Sequence, residues 1–234
     1  MYQQILLDLE NGLATGSFTT AIKKSVQALA EVLLTDRNGS RPKIGIVGDV
    51  YIRINSHSNN NLYQKLQDGG LEVWPSCSMI DVSFLGMEQL HAEHVRQVHS
   101  FSSSAVKLLI SGVKLARWLI DRYFPDSIRT PQERQYHAVA KVSGKYADFW
   151  IDKALSLNLN RIEELHQAGA DGVVHVMCHN CMLGNITASL APSMRRNMGD
   201  IPIGTLVYEG LRSTHNSNRI EAFIHQVNSC REKP

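Results

Sequence analysis

Two cysteines separated by two residues are the most chemically suggestive feature of the sequence. Cys178 and Cys181 enclose a His-Asn pair within GVVHVMCHNCMLGN, residues 172–185. Two thiols at this spacing can help to bind a metal ion or an iron–sulfur cluster, form a redox-active disulfide, or simply lie in a turn. Each of these uses needs different neighbouring residues.

A thioredoxin-type redox pair is disfavoured by the position of Gly184. In such a pair the active cysteine opens a helix, and the N-terminus of that helix stabilises the thiolate. The sequence predicts a helix over about 185–197, after the glycine. Gly184 would then separate the two cysteines from most of the helix.

A metal site needs further ligands. A structural zinc site takes four, and the candidates are Cys77, Cys178, His179 and Cys181. His179 has awkward geometry for this role because it lies between two ligand cysteines. An iron–sulfur cluster takes thiolates, and Cys77, Cys178 and Cys181 would leave one iron open for a substrate or another ligand. The fourth cysteine, Cys230, lies near the end of the last predicted helix and is interpreted as an incidental exposed thiol.

Alternating strand and helix patterns indicate an α/β fold class. Four short apolar runs predict strands, at 43–50, 71–75, 172–177 and about 203–208. Helices are predicted at 58–70, 185–197 and 216–230. This order favours an open, mainly parallel four-stranded sheet, because parallel strands need helical crossovers between them.

The expected spatial order of the strands is 2-1-3-4, as in half of a flavodoxin-like sheet. In this arrangement the strand order reverses between the first and third strands, and ligands bind beyond the carboxyl ends of the strands at that reversal. The loop with Cys178 and Cys181 would lie beside Gly48-Asp49. Cys77, two strand spacings away, would lie at roughly 10 Å. The geometry therefore permits a three-cysteine site without establishing one.

The remaining segments are helical in pattern. Residues 1–40 contain two runs with helical spacing of apolar side chains, and RNGSRP then breaks the pattern. Residues 82–165, approximately, contain no convincing strand and are interpreted as a long helical insertion. We therefore predict an N-terminal helical segment at 1–40 and a single α/β domain at 41–234.

Composition excludes several functional classes. The 234 residues are 43% hydrophobic and 20% charged, with a net charge of +2, as is typical of a soluble globular protein. No basic patch indicates nucleic-acid binding, and no apolar run reaches the roughly 18 residues of a membrane span. The N-terminal stretch lacks the features of a signal peptide, so we expect a cytoplasmic location. Because a Walker A lysine is missing, we do not expect the chain itself to be an ATPase.

Two parts of the sequence resemble a known protein family. The stretch at 42–75, PKIGIVGDVYIRINSHSNNNLYQKLQDGGLEVWP, resembles a segment of the 2-hydroxyacyl-CoA dehydratase D-component superfamily. The nearest branch is that of proteins related to acyl-CoA dehydratase activases. Residues 171–227 resemble the closing section of the same branch. There a strand leads to a Phe-Gly-Cys-Met-Pro-like turn, and a later strand leads to Tyr-Asp-Gly and a final helix.

The resemblance implies an iron–sulfur protein that accepts electrons. Such proteins receive a low-potential electron from an ATP-driven activase that carries its own [4Fe-4S] cluster. The cysteine of the family's turn aligns with Cys181, so the resemblance implies that Cys181 is a cluster ligand. Cys178 stands where the family commonly has Pro or Phe, and Cys77 is supported by the loop placement alone. Asp49 and Glu209 stand where the family has Glu and Asp.

The resemblance covers only the C-terminal half of full-length relatives. Their N-terminal α/β half carries further cluster cysteines, whereas residues 1–40 here contain none. Two arrangements fit this difference. A partner chain carries the missing half and shares a cluster at the interface, or Cys77, Cys178 and Cys181 hold a cluster within this chain.

The leading prediction is a cytoplasmic iron–sulfur subunit of an activase-driven reductase or 2-hydroxyacyl-CoA dehydratase-like system. Cys181, Cys178 and Cys77 would bind a [4Fe-4S] cluster. The residues expected around it, or along a substrate wall, are Gly48, Asp49, Asn180, Tyr208 and Glu209. Two alternatives stay open: a scaffold subunit derived from the family without a cluster, and a zinc-stabilised binding protein. The sequence does not decide between catalysis, electron relay and scaffolding.

Overall fold

The computed structural model describes most of the chain outside its middle. The described residues are 2–35, 41–76, 153–209 and 215–231, with some positions between 108 and 147. The chain divides into two compact units, one formed by 1–39 with 83–129 and the other by 40–82 with 130–234. Most of the predicted helical insertion lies outside the described residues, and the predicted domain division stays a prediction. Within the described ranges, no helix has the length and apolar character needed to cross a membrane.

The first unit contains two of the predicted helices. Helix α1 spans Tyr2–Ala14 and helix α2 spans Phe18–Thr35. They pack against each other, and a Cβ added to Gly12 would lie only 2.6 Å from the Cβ of Ala21. An exposed ion pair of 2.8 Å joins Lys24 to Asp8, and its hydrogen bond lowers the pKa of the Asp8 carboxyl. The helical pattern read from the N-terminal sequence is therefore confirmed.

The second unit is built on the predicted sheet. Its strands are β1 (Lys43–Gly48), β2 (Glu72–Pro75), β3 (Gly172–Cys178) and β4 (Ile203–Tyr208). All neighbours are parallel and the spatial order is β2-β1-β3-β4, which confirms the predicted fold class and strand order. Six of the seven positions of β3 are buried, as expected for an interior strand covered on both faces.

Helices cover both faces of the sheet. The described helices of this unit are α3 (Val50–Ile54), α4 (Leu62–Asp68), α5 (Lys153–Gln167), α6 (Met182–Asn197) and α7 (His215–Arg231). One core cluster includes Ile46 and Val176 of the sheet with Phe223 of α7. The other includes Val47 and Val173 with side chains of α5 and α6. The sheet is therefore the middle of three layers.

Helix α6 begins three residues earlier than the sequence predicts. Cys181 is its N-cap, and the Cys181 Sγ accepts a hydrogen bond of 3.4 Å from the Gly184 backbone N–H. Gly184 lies inside the helix, where an added Cβ would lie 2.7 Å from the Cβ of Met177. The glycine allows α6 to approach β3 closely; it does not delay the start of the helix. The predicted start at about 185 is therefore wrong.

Candidate functional site

The site begins where β1 ends, at the point where the strand order reverses. Gly48 has a φ of +109°, and an added Cβ would overlap the carbonyl oxygen of Val176 on β3. The next backbone N–H, that of Asp49, donates to this same oxygen at 2.9 Å. The Asp49 carboxylate then caps α3 by accepting a 2.9 Å hydrogen bond from the Ile52 N–H. Only glycine fits this close contact between β1 and β3.

A tight turn carries the two cysteines. The Cys181 N–H donates to the Cys178 carbonyl oxygen at 3.2 Å, and Asn180 between them has a φ of +59°. Asn tolerates this left-handed conformation better than most residues. The His179 N–H donates to the Tyr208 carbonyl oxygen at 2.9 Å and holds the turn against β4. The ends of such a turn lie within about 7 Å of each other, Cα to Cα.

The two thiols influence each other directly. Cys178 is exposed at the end of β3, and Cys181 is half-buried. Partial removal from water raises the pKa of the Cys178 thiol, and the neighbouring Cys181 thiol and Asp49 carboxylate raise this pKa further. Negative charge next to a thiolate is unfavourable, so Cys178 keeps its proton more firmly than a free cysteine does. A bound cation would reverse this preference, because metal ligation requires the thiolate.

A cleft of about 260 Å³ lies next to Cys181, between the ends of β1 and β3 and the helices α3, α5 and α6. Its polar wall is formed by Asp49, Arg53, Ser76, Asn158, Arg161 and His175. Its apolar wall includes Leu157, Met177 and Leu183. Cys181 belongs to the lining and Cys178 lies outside it.

Three cleft residues are polar and deeply buried. Arg53, 4% exposed, donates from Nη1 to the Ser76 Oγ. Arg161, also 4% exposed, donates from Nη1 to Glu164 at 3.2 Å. His175 is 1% exposed, and within the described part of the chain neither of its ring nitrogens has a hydrogen-bond partner. Burial lowers the pKa of His175 to about 4, so its ring is neutral at neutral pH.

The structure brings part of the predicted site together. Gly48, Asp49 and Cys181 all line the cleft. Cys178 lies beside Cys181, whereas Asn180 and Glu209 are exposed and do not line the cleft. Cys77 lies outside the described residues; Ser76, which precedes it in the sequence, is part of the cleft wall.

Tyr208 lies away from the cleft. It packs in the core cluster that includes Leu206, Ile220 and Phe223, on the α4 and α7 side of the sheet. Its hydroxyl is buried without a hydrogen-bond partner among the described residues, and burial raises the pKa of this phenol. The sequence identified the correct sheet edge for this residue, but not the face on which its ring lies.

Sequence reasoning missed the buried polar side chains of the cleft. His175 lies in an apolar strand, and Arg161 lies in a helix more than a hundred residues after Arg53. A signal existed for Arg53 alone, because Tyr51-x-Arg53 belongs to the quoted segment that resembles the family. The convergence of these side chains is a property of the tertiary fold, and no local pattern announces it.

The described residues provide two thiols at this site. Among them, no group of three or more His, Cys, Asp or Glu side chains is arranged to hold a metal ion. Cys77, the third predicted ligand, lies outside the described residues. A three-cysteine cluster site therefore stays a prediction.

Comparison with known proteins leaves the family assignment open. No protein-family model, no curated protein and no solved structure matches this chain. The resemblance to the 2-hydroxyacyl-CoA dehydratase D-component superfamily therefore also stays a prediction.

Proposed function

We propose that this chain is an iron–sulfur subunit of an activase-driven reductase or dehydratase-like system. Cys178, Cys181 and Cys77 would hold a [4Fe-4S] cluster. The observation that carries the proposal is the placement of Cys178 and Cys181 side by side at the carboxyl edge of a parallel sheet, next to a cleft. Open α/β sheets bind their ligands at this edge.

The surroundings of the two thiols suit a cluster. Thiolates are the usual ligands of iron–sulfur clusters, and N–H groups that donate to sulfur tune the potential. The Gly184 N–H already donates to Cys181 Sγ at 3.4 Å. The positive end of the α6 dipole offsets part of the negative charge that ligated thiolates bring. When bound, such a cluster would supply one-electron transfer at low potential.

The exposure of the site suits electron transfer from a partner. Cys178 is exposed, and so is Tyr51, a lining residue of the cleft that is 63% exposed. Ile54 and Met182, next in sequence to the lining residues Arg53 and Cys181, are further exposed apolar side chains, at 59% and 69%. We propose an ATP-dependent activase, a chain that carries an N-terminal α/β half like that of the family, or both as partners. The chain itself would bind the cluster and position its substrate, while the activase would hydrolyse ATP.

The first test is metal analysis of the full chain purified without oxygen. The proposal predicts about four irons and four sulfides per chain, with a broad visible absorption that dithionite bleaches. One zinc per chain would instead indicate a zinc-stabilised binding protein. If the chain alone lacks metal and gains iron with a partner that carries an N-terminal α/β half like that of the family, the cluster is shared. A chain that stays without metal in both experiments would contradict the cluster proposal and leave a scaffold or a redox-active dithiol.

Cys181→Ser is expected to remove at least nine-tenths of the bound iron, because serine is a poor substitute for a thiolate ligand. Iron and sulfide are measured per folded chain. Cys230→Ser is the matched control, since Cys230 is exposed on α7 and does not line the cleft. This control should keep its full iron content. Retention of iron by Cys181→Ser would contradict the ligand assignment.

A redox-active dithiol is a second candidate function. Gly184 does not separate the cysteines from the helix, because α6 begins at Met182 with Cys181 as its N-cap. Cys181 is the N-cap of α6, and its N–H donates to the Cys178 carbonyl oxygen at 3.2 Å. The end residues of such a turn have Cα atoms within about 7 Å of each other, and disulfides usually join Cα atoms about 4.4–6.8 Å apart. Oxidation would join the two sulfurs and release two protons, with two electrons passing to a disulfide oxidant such as glutathione disulfide.

Thiol counting tests this second candidate. The metal-free chain is equilibrated in glutathione redox buffers, and its free thiols are alkylated and counted. A dithiol function predicts that two thiols disappear together with a single midpoint in the wild type. Cys178→Ser should lose this transition, whereas Cys230→Ser should keep it. A wild-type chain that keeps all its thiols would exclude the dithiol function.

A further inference from the structure

The cleft beside Cys181 contains a deeply buried histidine. His175 lies on β3, is 1% exposed and contributes to the cleft wall. Neither ring nitrogen has a hydrogen-bond partner within the part of the chain that the structure describes. A neutral imidazole has one N–H donor and one acceptor, and buried polar groups are normally hydrogen-bonded. A polar ligand group that reached the ring from the cleft would supply the missing hydrogen bond.

Two buried arginines border the same space. Arg53 comes from α3 and Arg161 from α5, and each is 4% exposed. A guanidinium group is planar and carries five N–H donors in a fixed fork, which matches a carboxylate through two parallel hydrogen bonds. Two such groups and a histidine around one cleft favour a planar anion.

The N-terminus of α6 also favours a negatively charged ligand. This helix has 16 residues, and its N-cap, Cys181, lines the cleft. Unpaired N–H groups and the helix dipole make a helix N-terminus favourable for anions. Two carboxylates lie nearby: Asp49, on the cleft wall, accepts from the Ile52 N–H at 2.9 Å, and Glu164, outside the lining, pairs with Arg161 at 3.2 Å.

The rest of the wall is apolar and the space is small. Leu157 and Leu183 lie on the lining, from α5 and α6 respectively. The volume of about 260 Å³ is below the range of about 300–1,000 Å³ that is typical for drug-sized ligands. A fitting ligand therefore has few atoms, with an anionic end and a short apolar part.

We propose that this cleft binds a small organic carboxylate. The carboxylate would lie among Arg53, Arg161 and His175, and its short carbon chain would lie against Leu157 and Leu183. This site is separate in chemistry from the cysteine ligands, because it recognises an anion and they would bind a metal. Its test therefore needs neither a bound cluster nor a partner chain.

Calorimetric titration of the full chain at constant ionic strength tests the proposal. The probes are butyrate, its neutral isostere butyramide, and inorganic phosphate. We expect butyrate to bind at least tenfold more tightly than butyramide, because the amide lacks the charge. Phosphate should bind more weakly than butyrate, because it lacks the apolar part. Equal binding of the amide, tighter binding of phosphate, or no binding of butyrate would each overturn the proposal.

Asn158→Asp places a carboxylate of nearly the same shape on the cleft wall. It should weaken butyrate binding at least tenfold by charge repulsion, while the melting temperature shows that the chain still folds. Asn228→Asp makes the same change at an exposed position of α7 and should leave binding unchanged. Unchanged affinity in Asn158→Asp would contradict the site. Iron content measured on the same variant keeps this result distinct from the cluster proposal.

Arg53→Lys provides a second variant that keeps the buried positive charge. A lysine ammonium cannot reproduce the two parallel hydrogen bonds of a guanidinium to a carboxylate. We expect butyrate to bind at least fivefold more weakly, with the preference over butyramide retained because the charge remains. Full affinity in this variant would exclude Arg53 from the site.

Discussion

Gly48→Ala is expected to destabilise the α/β unit by more than about 3 kcal/mol. At a φ of +109° an alanine is strained, which costs about 1–2 kcal/mol by itself. Its Cβ would also overlap the Val176 carbonyl oxygen, which is fixed in β3 and accepts the Asp49 N–H. Neither strand can move without breaking the parallel ladder between β1 and β3. Urea unfolding of the full chain measures the loss as a lower midpoint.

Gly70→Ala separates backbone strain from the steric clash. Gly70 also has a positive φ, of +82°, but an added Cβ there would meet no atom within 4 Å. We expect a loss of about 1 kcal/mol at this position, from conformation alone. If Gly48→Ala were no more destabilising than Gly70→Ala, the close contact between β1 and Val176 would not be the reason for this glycine.

Acidification is expected to destabilise the protein through His175. Burial lowers its folded-state pKa to about 4, whereas an unfolded chain has a value near 6.5. Between these values the unfolded state binds the proton and the folded state does not. The free energy of unfolding therefore falls as the pH is lowered from 6.5 towards 4. At about 1.4 kcal/mol per pH unit, the full contribution is about 3 kcal/mol.

A comparison of two histidine variants isolates this contribution. His175→Gln removes the buried titrating group, so its free energy of unfolding should fall less than that of the wild type between pH 7 and pH 4.5. His225→Gln makes the same change at an exposed position of α7 and should keep the wild-type pH dependence. The measurement is urea unfolding at both pH values. An equal fall for the wild type and His175→Gln would contradict the effect assigned to burial.

The sheet could be predicted because its signals are local and its connections follow a rule. Short β-branched runs such as the one that forms β3 predict buried strands, and right-handed crossovers restrict the order of parallel strands. The start of α6 could not be predicted in the same way. From the sequence alone, Gly184 is interpreted as a helix breaker. Its packing against Met177 depends on the contact between α6 and β3, which exists only in the folded chain.

The candidate site also has one part that the sequence could predict and one part that it could not. The cysteine turn lies within one short segment, so its spacing and its place after a strand were predictable. The cleft depends on Arg53, Arg161 and His175, which meet only in the folded chain. Tyr208 also shows what the sequence could not predict. Its position at the end of β4 was predictable, but whether a ring packs in the core or borders a ligand depends on the face of the sheet.

At the N-cap position of α6, the residue types that would stabilise the helix most are not the one that carries a thiol. Serine, threonine, aspartate and asparagine are the preferred N-cap residues, because their oxygens accept backbone hydrogen bonds well. Cys181 uses a sulfur instead, at 3.4 Å from the Gly184 nitrogen. A helix selected for thermal stability alone would gain from an oxygen at this position and lose the thiol. Selection of this protein for heat resistance alone would therefore favour substitution of Cys181, unless the thiol itself were under selection.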